Sequence, residues 1–296
     1  MSVYAFMIRK RRNATSVHIE QHEFSTGDDL SRYHNKKLKL VFENASRSEY
    51  WNRLFREHGV DIESRNSLKE LRKLPLTEKR DLRDCQEEVA LSAHDKITLT
   101  TSGSTGTGFI FNTTAYAESA SRYFAERYWR RFGVGSPMWW ASFAGRVVVP
   151  LTQQNPPFWR SSYFSRQVFF SNYHLSSTTI RAYIDHLNKI QPMWLHGYPS
   201  FLGLLASLAK EQGIHLSYRP YAVTLSSENV SESQLKELKE FFQTSVAQNY
   251  GQTEGVAIFT ECEQGKLHID EEFSYVELIP VDGQEGKYEV VGTSFF

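Results

Sequence analysis

A loop rich in glycine, serine and threonine, TTSGSTGTG at Thr100–Gly108, has the composition of a phosphate-binding segment. Glycines let main-chain N–H groups approach an anion closely, and the hydroxyl side chains add further donors. The loop is not of the Walker type, because Thr107-Gly108-Phe109 stands where that motif requires a lysine. Taken alone, the run also suits a flexible turn between two strands.

A second short run, NYGQTEG at Asn249–Gly255, follows the strand-like stretch SVAQNY. In an open parallel sheet, ligands bind at the carboxyl ends of the strands. Tyr250 is suited to stack on a base, Thr253 to bond a phosphate, and Glu254 to bind Mg²⁺ through hard oxygen ligands. Taken alone, this run also suits a strand-end turn with a solvated glutamate.

The composition excludes several classes of function. The 296 residues are 40% hydrophobic and 23% charged, which is enough to bury a substantial core. Thirty-four basic residues balance thirty-four acidic ones, so no net charge attracts nucleic acid. Two cysteines indicate no disulfide framework and favour a reducing cytoplasm. No apolar run approaches the length that spans a bilayer, and residues 1–29 are interpreted as a poorly ordered leader.

The first half of the chain predicts helices and then a hairpin. Apolar positions at helical spacing indicate a helix from about 30 to 58, and Thr77 before Glu78 indicates the start of a short one. KITLTTSG and FIF predict two strands around the glycine loop, and 113–132 a helix ending at Gly133. Strands are expected at Met138–Phe143 and Arg146–Leu151, and TQQNPPFWRSS is expected to be a loop.

The second half alternates between helical and strand-like patterns. Helices are predicted at Thr178–Ile190, Pro199–Gln212 and Ser231–Phe242, and strands at MWLH, YAVTLSS and SVAQNY. Short strands GVAIFTE, KLHI, YVELIPV and KYEVVGTSF follow. This order predicts an α/β fold with a mostly parallel, helix-covered sheet and short strands at the C-terminal end.

Taken together, the two loops are far more specific than either alone. TSGSTG followed by YGQTE in an alternating chain resembles the acyl-adenylate-forming enzymes, which include acyl-CoA synthetases, adenylation domains and luciferases. LHGYPSFLGLLASLAK and LSSENVSESQLKELKEFF are similar to segments of the phenylacetate-coenzyme A ligase branch, particularly the CapK-type proteins of polysaccharide gene clusters. The resemblance covers residues 30–296 and implies the fold of that family's N-terminal large domain.

The resemblance implies activation of a small carboxylic acid as acyl-AMP, with ATP, Mg²⁺ and then a thiol such as coenzyme A. Thr253 is expected to contact the α-phosphate and Glu254 to bind Mg²⁺. The residues implied in nucleotide binding are Thr101, Ser102, Gly103, Ser104, Thr105, Gly106, Ser226, Ser227, Glu228, Asn249, Tyr250, Gly251 and Gln252. The candidates for an acid pocket are Trp140, Gly197, Tyr198 and Pro199, with Trp139 beside them. For both tryptophans a core position is favoured over a place in the pocket.

Several parts of the family pattern are missing from the sequence. The resemblance places the ribose-binding aspartate, the hinge and the small C-terminal domain after YEVVGTSFF, and the glycine loop lacks the family's lysine. We therefore expect weak ATP binding and slow adenylation. Cys262 and His268, spaced Cys-x5-His, form half of a candidate structural zinc site. A non-catalytic binding module and an acyl-transfer partner in polysaccharide biosynthesis remain alternatives, and the sequence leaves the acid and the oligomeric state open.

Overall fold

A computed structural model describes residues 25–90, 96–101 and 109–296 of the chain. The chain divides into two compact units. Unit 1 comprises Met1–Phe124, Gln252–Ile258 and Ile269–Phe296, and unit 2 comprises Ala125–Gly251 and Phe259–His268. Most of the predicted leader, residues 1–24, lies outside the described residues, and the first described helix begins at Gly27.

The described residues form nine helices and twelve strands. The helices are α1 (Gly27–Ala45), α2 (Glu49–Glu57), α3 (Ser67–Leu71), α4 (Lys79–Arg83), α5 (Gln86–Val89), α6 (Ala115–Arg131), α7 (Ile180–Ile190), α8 (Pro199–Glu211) and α9 (Glu232–Phe242). The strands are β1 (Lys96–Thr100), β2 (Ile110–Thr114), β3 (Trp140–Phe143), β4 (Trp159–Ser162), β5 (Gln167–Phe170), β6 (Trp194–Gly197), β7 (Ala222–Leu225), β8 (Ser245–Gly251), β9 (Ile258–Glu261), β10 (Leu267–Ile269), β11 (Ser274–Pro280) and β12 (Tyr288–Ser294).

Unit 1 begins with short helices whose ends are set by side-chain caps. The segment predicted as one helix over 30–58 is two helices, because Ser48 ends the irregular link and accepts a hydrogen bond from the backbone N–H of Trp51. α4 begins one residue later than predicted. Glu78, rather than Thr77, is its N-cap, and the Glu78 N–H donates to the Asp81 carboxylate at 2.8 Å.

Two antiparallel pairs complete the regular structure of unit 1. β1 and β2 form the predicted hairpin, with Lys96 opposite Thr114 and Thr100 opposite Ile110. The Thr114 hydroxyl accepts the backbone N–H of Ala117, so the chain turns from β2 directly into α6. β11 and β12 form a second antiparallel pair, as expected for the short strands near the end of the chain.

Unit 2 is built on an eight-stranded sheet in the order β10-β9-β8-β7-β6-β3-β5-β4. The pairs β5 with β3, β3 with β6, β6 with β7, and β7 with β8 are parallel, and β4 with β5 is antiparallel. One face of each covering helix supplies the core, as the apolar spacing predicts. α7, α8 and α9 bury Leu187, Leu205 and Leu238 in the same core cluster as Leu195 of β6 and Val223 of β7. The predicted α/β fold is confirmed.

The region around residues 146–170 differs from the expectation. Arg146–Leu151 is not a strand: it lacks a partner strand among the described residues, and Pro150 has no N–H to donate. The predicted loop TQQNPPFWRSS instead ends in β4, which pairs with β5 from Trp159 opposite Phe170 to Ser162 opposite Gln167. β4 is a strand because it pairs with β5. The polar run Arg160–Ser162 shows no alternation of apolar and polar residues that would predict a strand.

No helix among the described residues is long and apolar enough to cross a bilayer.

We predict that His186→Phe stabilises unit 2, most strongly below neutral pH. His186 stacks on Trp159 at 4.0 Å between ring centroids, and its buried Nε2 lacks a hydrogen-bond partner among the described residues. Burial lowers the pKa of His186 to about 4, so the unfolded chain, with a histidine pKa of about 6.5, binds more protons between those values. Because the folded chain keeps His186 neutral, its free energy of unfolding decreases as the pH falls from about 6.5 to about 4. Phenylalanine keeps the stacking and removes the proton-binding nitrogen.

Urea unfolding at pH 7 and pH 5 measures this effect. The variant should gain about 1 kcal/mol at pH 7, the usual cost of a buried unsatisfied polar atom, and more at pH 5. His215→Phe at an exposed position is the control. An equal loss of stability between the two pH values in His186→Phe and the wild type would contradict the assignment.

Candidate functional site

The carboxyl ends of three parallel strands in unit 2 lie side by side. Gly197 of β6 is opposite Leu225 of β7, and Leu225 is opposite Gln248 of β8. The segments that follow these positions contain three groups of predicted site residues. They are Tyr198 and Pro199 after β6, Ser226, Ser227 and Glu228 after β7, and Asn249, Tyr250 and Gly251 at the end of β8. The structure thus brings these groups to one edge of the sheet, as the strand rule predicts.

The turn after β7 is fixed on both sides. The Ser226 N–H donates to the Gly197 carbonyl at 3.2 Å, which extends the pairing of β7 with β6 by one residue. Ser227 follows with φ of 70°, in the left-handed region that non-glycine residues rarely occupy. The Glu228 carboxylate then accepts the Ser200 N–H at 3.0 Å and the Ser200 hydroxyl at 2.9 Å.

A hydrogen-bonded chain beneath this turn contains a histidine that the sequence did not single out. Trp194 Nε1 donates to Thr224 Oγ1 at 2.8 Å, and the same oxygen lies 2.8 Å from His196 Nδ1. The other ring nitrogen, Nε2, lies 3.3 Å from Ser226 Oγ. Burial lowers the pKa of His196 to about 4, so the imidazole is neutral at pH 7. Its position at the end of a buried strand was the signal available in the sequence.

Trp140 is part of an aromatic stack. Its ring lies parallel to that of Trp194, with centroids 4.7 Å apart and an interplanar angle of 14°, and Trp129 packs against both. Trp139 instead contacts Tyr163 at 5.5 Å. Trp140 is half-buried. This packing is a sufficient structural reason for a tryptophan at position 140. Its role in an acid pocket stays a prediction.

Strand packing also accounts for the glycine at position 197. A methyl group at Gly197 would lie 2.6 Å from Phe143 Cβ and 2.8 Å from the Phe143 carbonyl oxygen. Tyr198 is the N-cap of α8 and its ring lies beside Gly145, whereas Pro199 is the first residue of the helix, where the missing N–H costs nothing. These three residues share one strand end, and their contact with an acid is untested.

The Tyr250 ring packs against one aromatic ring of β9. It meets Phe259 in a T-shaped contact at 5.2 Å, with 84° between the rings. The backbone leading to it is held by the buried Glu261, whose carboxylate accepts the Gln248 N–H at 3.1 Å. Burial raises the pKa of Glu261, and the bond from Gln248 opposes that rise. A base-stacking role for Tyr250 stays a prediction.

The predicted phosphate loop begins and ends in unit 1. The Thr101 N–H donates to the Phe109 carbonyl at 2.9 Å, and the Phe109 N–H donates to the Thr101 hydroxyl at 3.1 Å. These two bonds close the hairpin at its mouth. Ser102, Gly103, Ser104, Thr105 and Gly106, together with Thr107 and Gly108, lie outside the described residues.

Glu254, the predicted magnesium ligand, forms an ion pair with Lys79 of α4 in unit 1. The carboxylate is mostly buried, with 16% of its side chain exposed, whereas the Lys79 side chain is 58% exposed. Thr253 is exposed in the same turn, which the Gly255 N–H closes by donating to the Gln252 carbonyl at 3.0 Å. The carboxylate is therefore already paired with a cationic side chain.

Lys79 is a residue that the sequence analysis missed. A lysine was sought within the glycine loop, whereas Lys79 lies in LPLTEKRDLRD, before that loop. Its position at the start of α4 was visible, but the pairing with Glu254 spans most of the chain and left no local signal.

Glu254 also borders a cavity of about 430 Å³ in unit 1. Its walls are mainly apolar and include Phe109, Phe111 and Val256, with Lys96 as a cationic member. Cavities of this size accept small organic molecules. No sequence pattern indicated this cavity, because its walls come from segments that lie far apart in the chain.

The candidate zinc residues lie at a tight turn in unit 2. The Cys262 N–H donates to the Lys266 carbonyl at 2.9 Å, and His268 follows in β10. No cluster of three or more His, Cys, Asp or Glu suited to a metal occurs in the described part of the chain. Structural zinc gains no support from this arrangement.

Comparison with known proteins identifies a relative of the whole chain. No model of a known protein family matches it. Protein CapK of Staphylococcus aureus is 25% identical over 298 aligned positions, which cover 100% of this chain and 66% of CapK. The chain is a homologue of CapK. It spans about two thirds of that relative's length.

Solved structures with the same fold are acyl-CoA ligases. One of them is a 2-hydroxyisobutyryl-CoA ligase in complex with 2-HIB-AMP and CoA, in the thioesterification state. It matches this chain with a TM-score of 0.64 and 17% identity, and the match covers 86% of this chain and 56% of the ligase. The open conformation of the ligase gives a TM-score of 0.59 and 17% identity over 83% of this chain and 60% of that one. These matches confirm the predicted fold, which this chain shares with acyl-CoA ligases.

We predict opposite effects of alanine at two glycines of the CapK homologue. Gly197→Ala should lower stability by about 1–3 kcal/mol, because the new methyl group overlaps Phe143. Gly203→Ala on α8 is the matched control, since nothing lies within 4 Å of the new methyl group. It should raise stability by about 0.5–1 kcal/mol through the better helix propensity of alanine. Thermal unfolding measures both, and a neutral Gly197→Ala would indicate open space at that strand end.

Proposed function

We propose that the chain activates a carboxylic acid with ATP, forming an acyl-adenylate and releasing pyrophosphate. The observation that carries the proposal is the mostly buried Glu254 carboxylate holding a cation within NYGQTEG. The ligase fold and the relation to CapK support it. The chemistry requires an ionised carboxylate that can bind Mg²⁺ close to phosphate oxygens, and hard oxygen donors suit that ion.

The reaction forms one bond and breaks one. A carboxylate oxygen of the acid attacks the α-phosphorus of ATP, and the bond from that phosphorus to the β-phosphate oxygen breaks, so pyrophosphate leaves with its electron pair. Bound Mg²⁺ would neutralise charge on the phosphate oxygens. Among this chain's residues, Glu254 would hold the metal, Thr253 would donate its hydroxyl to the α-phosphate, and Thr101–Gly106 would bind the leaving phosphates. Positioning of the two anions then supplies most of the remaining rate enhancement.

We assign binding of the nucleotide's base to residues of unit 2. Ser226, Ser227 and Glu228 offer a fixed backbone at the edge of the sheet, and Tyr250 lies at the end of the third strand of the same edge. We further propose that the activated acyl group passes to a thiol such as that of coenzyme A. The phenylacetate ligase resemblance favours an aromatic acid, with Trp140 and Gly197–Pro199 as its pocket.

Lys79 is assigned a role in controlling metal binding. Its ammonium group is paired with the Glu254 carboxylate, which is the proposed Mg²⁺ ligand. The ion pair therefore has to open when the metal binds. The exposed position of the lysine allows the side chain to move without unpacking a core. The same ion pair favours a second candidate function, a nucleotide-binding module without catalysis, in which Lys79 stays on Glu254.

Exchange of labelled pyrophosphate into ATP, measured across a panel of aromatic and aliphatic acids, tests the proposal. Glu254→Ala should reduce acid-dependent exchange by about 10²–10³-fold, the usual loss when a positioned charge is removed. Glu263→Ala, at an exposed glutamate in the turn after β9, is the control and should leave exchange unchanged. Mg²⁺-dependent ATP binding without exchange for any acid would favour the binding module.

The same assay tests Lys79. Lys79→Ala should lower the Mg²⁺ concentration that gives half-maximal exchange, because the ammonium group no longer competes for Glu254. Lys79→Arg should keep the wild-type requirement. An unchanged requirement in Lys79→Ala would show that the ion pair does not oppose the metal.

A further inference from the structure

The turn after β7 holds a serine in a conformation that costs free energy. Ser227 has φ of 70°, where the Cβ of an L-residue crowds its own backbone. Such residues persist only where their surroundings impose the conformation, and they concentrate at sites that bind or react. Ser227 is exposed, so no core packing forces it into this region.

The restraint comes from hydrogen bonds on both sides of the serine. Before it, the Ser226 N–H is bound to the Gly197 carbonyl and the Ser226 hydroxyl lies 3.3 Å from His196 Nε2. After it, both carboxylate oxygens of Glu228 are taken up by Ser200, at 3.0 Å from its N–H and 2.9 Å from its hydroxyl.

The Glu228 bonds are favourable for a further reason. Ser200 is the second residue of α8, a helix of 13 residues, and its N–H belongs to the first turn, which has no carbonyl partner within the helix. A carboxylate at this end also interacts favourably with the helix dipole. Glu228 thus caps a helix from a distant part of the sequence while holding its own turn in place.

We propose that Glu228 is a positioning residue that locks Ser227 in the left-handed conformation and so presents the backbone of Ser226–Glu228 to the base of a bound nucleotide. This inference rests on the proposed function. It changes the expected role of Glu228 from a nucleotide contact to a restraint, because both of its oxygens are already engaged by Ser200. A backbone held in its binding conformation before the ligand arrives loses less entropy on binding.

Isothermal titration of AMP into the 296-residue chain tests the inference. Without the restraint, Ser227 relaxes out of the left-handed region, and binding must restore it. Glu228→Ala should therefore raise the AMP dissociation constant about fivefold, as expected for the strain of one such residue.

The decisive comparison repeats this substitution in a Ser227→Gly background. Glycine occupies the left-handed region without strain, so the restraint matters less there. Relative to Ser227→Gly alone, adding Glu228→Ala should raise the dissociation constant about twofold rather than fivefold. A direct contact between Glu228 and AMP would instead give the same loss in both backgrounds.

Three further variants separate the restraint from other effects. Glu228→Gln keeps an acceptor for the Ser200 N–H and should bind AMP within about twofold of the wild type. Ser200→Ala removes one of the two bonds from the other side and should give an intermediate loss. Glu237→Ala, an exposed glutamate on α9, controls for the change of charge. Circular dichroism melting checks that each variant is folded, and Ser200→Ala provides the restraint test if Glu228→Ala is not.

The outcomes distinguish the inference from the function on which it rests. No binding of AMP by the wild type overturns both. Normal AMP binding with an equal loss from Glu228→Ala in both backgrounds, or with Glu228→Gln as weak as Glu228→Ala, overturns the restraint alone. A loss that shrinks in the Ser227→Gly background supports it.

Discussion

The parallel pairing of β6, β7 and β8 fixes the register of these strands and therefore the position of the three candidate segments at their carboxyl ends. Gly197, Leu225 and Gln248 are adjacent in register, so the turns after β6 and β7 begin at the level where β8 continues into Asn249–Gly251. A slip of one residue in any pair would turn every side chain of that strand to the opposite face. The buried core under α7, α8 and α9 opposes such a slip, because each of these strands contributes a residue to it.

Polar side chains refine this arrangement at the sheet edge. His196 and Thr224 connect the ends of β6 and β7, Glu261 holds β8 through the Gln248 N–H, and Glu228 ties the next turn to α8. These groups satisfy backbone or side-chain atoms that regular pairing leaves over. In unit 1, the Glu254 carboxylate is instead paired with the partly exposed ammonium group of Lys79.

Periodicity in the sequence predicted most of the helices and strands, because each buries one apolar stripe or an alternating face. The spacing of Ile180, Tyr183, Ile184 and Leu187 gave α7, and the capping box at Ser231 gave the start of α9. β4 was missed because its pairing with β5, rather than its own pattern, makes it a strand. Arg146–Leu151 was wrong for the converse reason: a β-branched run needs a partner strand.

The candidate site was predictable as motifs but not as contacts. The order of strands and turns brought the segments of unit 2 to one edge, as a parallel sheet requires. The partners of the individual residues were not visible, because Lys79 with Glu254, and Ser200 with Glu228, are joined only by the folded chain. The packing of Gly197 against Phe143 likewise shows a structural reason for a residue that the motif alone assigned to a ligand.

The central claim is that Glu254 brings the metal to ATP. The most direct measurement replaces Mg²⁺ with Mn²⁺ and records the broadening of backbone amide signals in the isotopically labelled chain, with and without ATP. If Glu254 binds the metal, ATP-dependent broadening should centre on Thr253, Glu254 and Gly255 and should be lost in Glu254→Gln. Broadening elsewhere in the chain, or none around Glu254 with ATP bound, would contradict it.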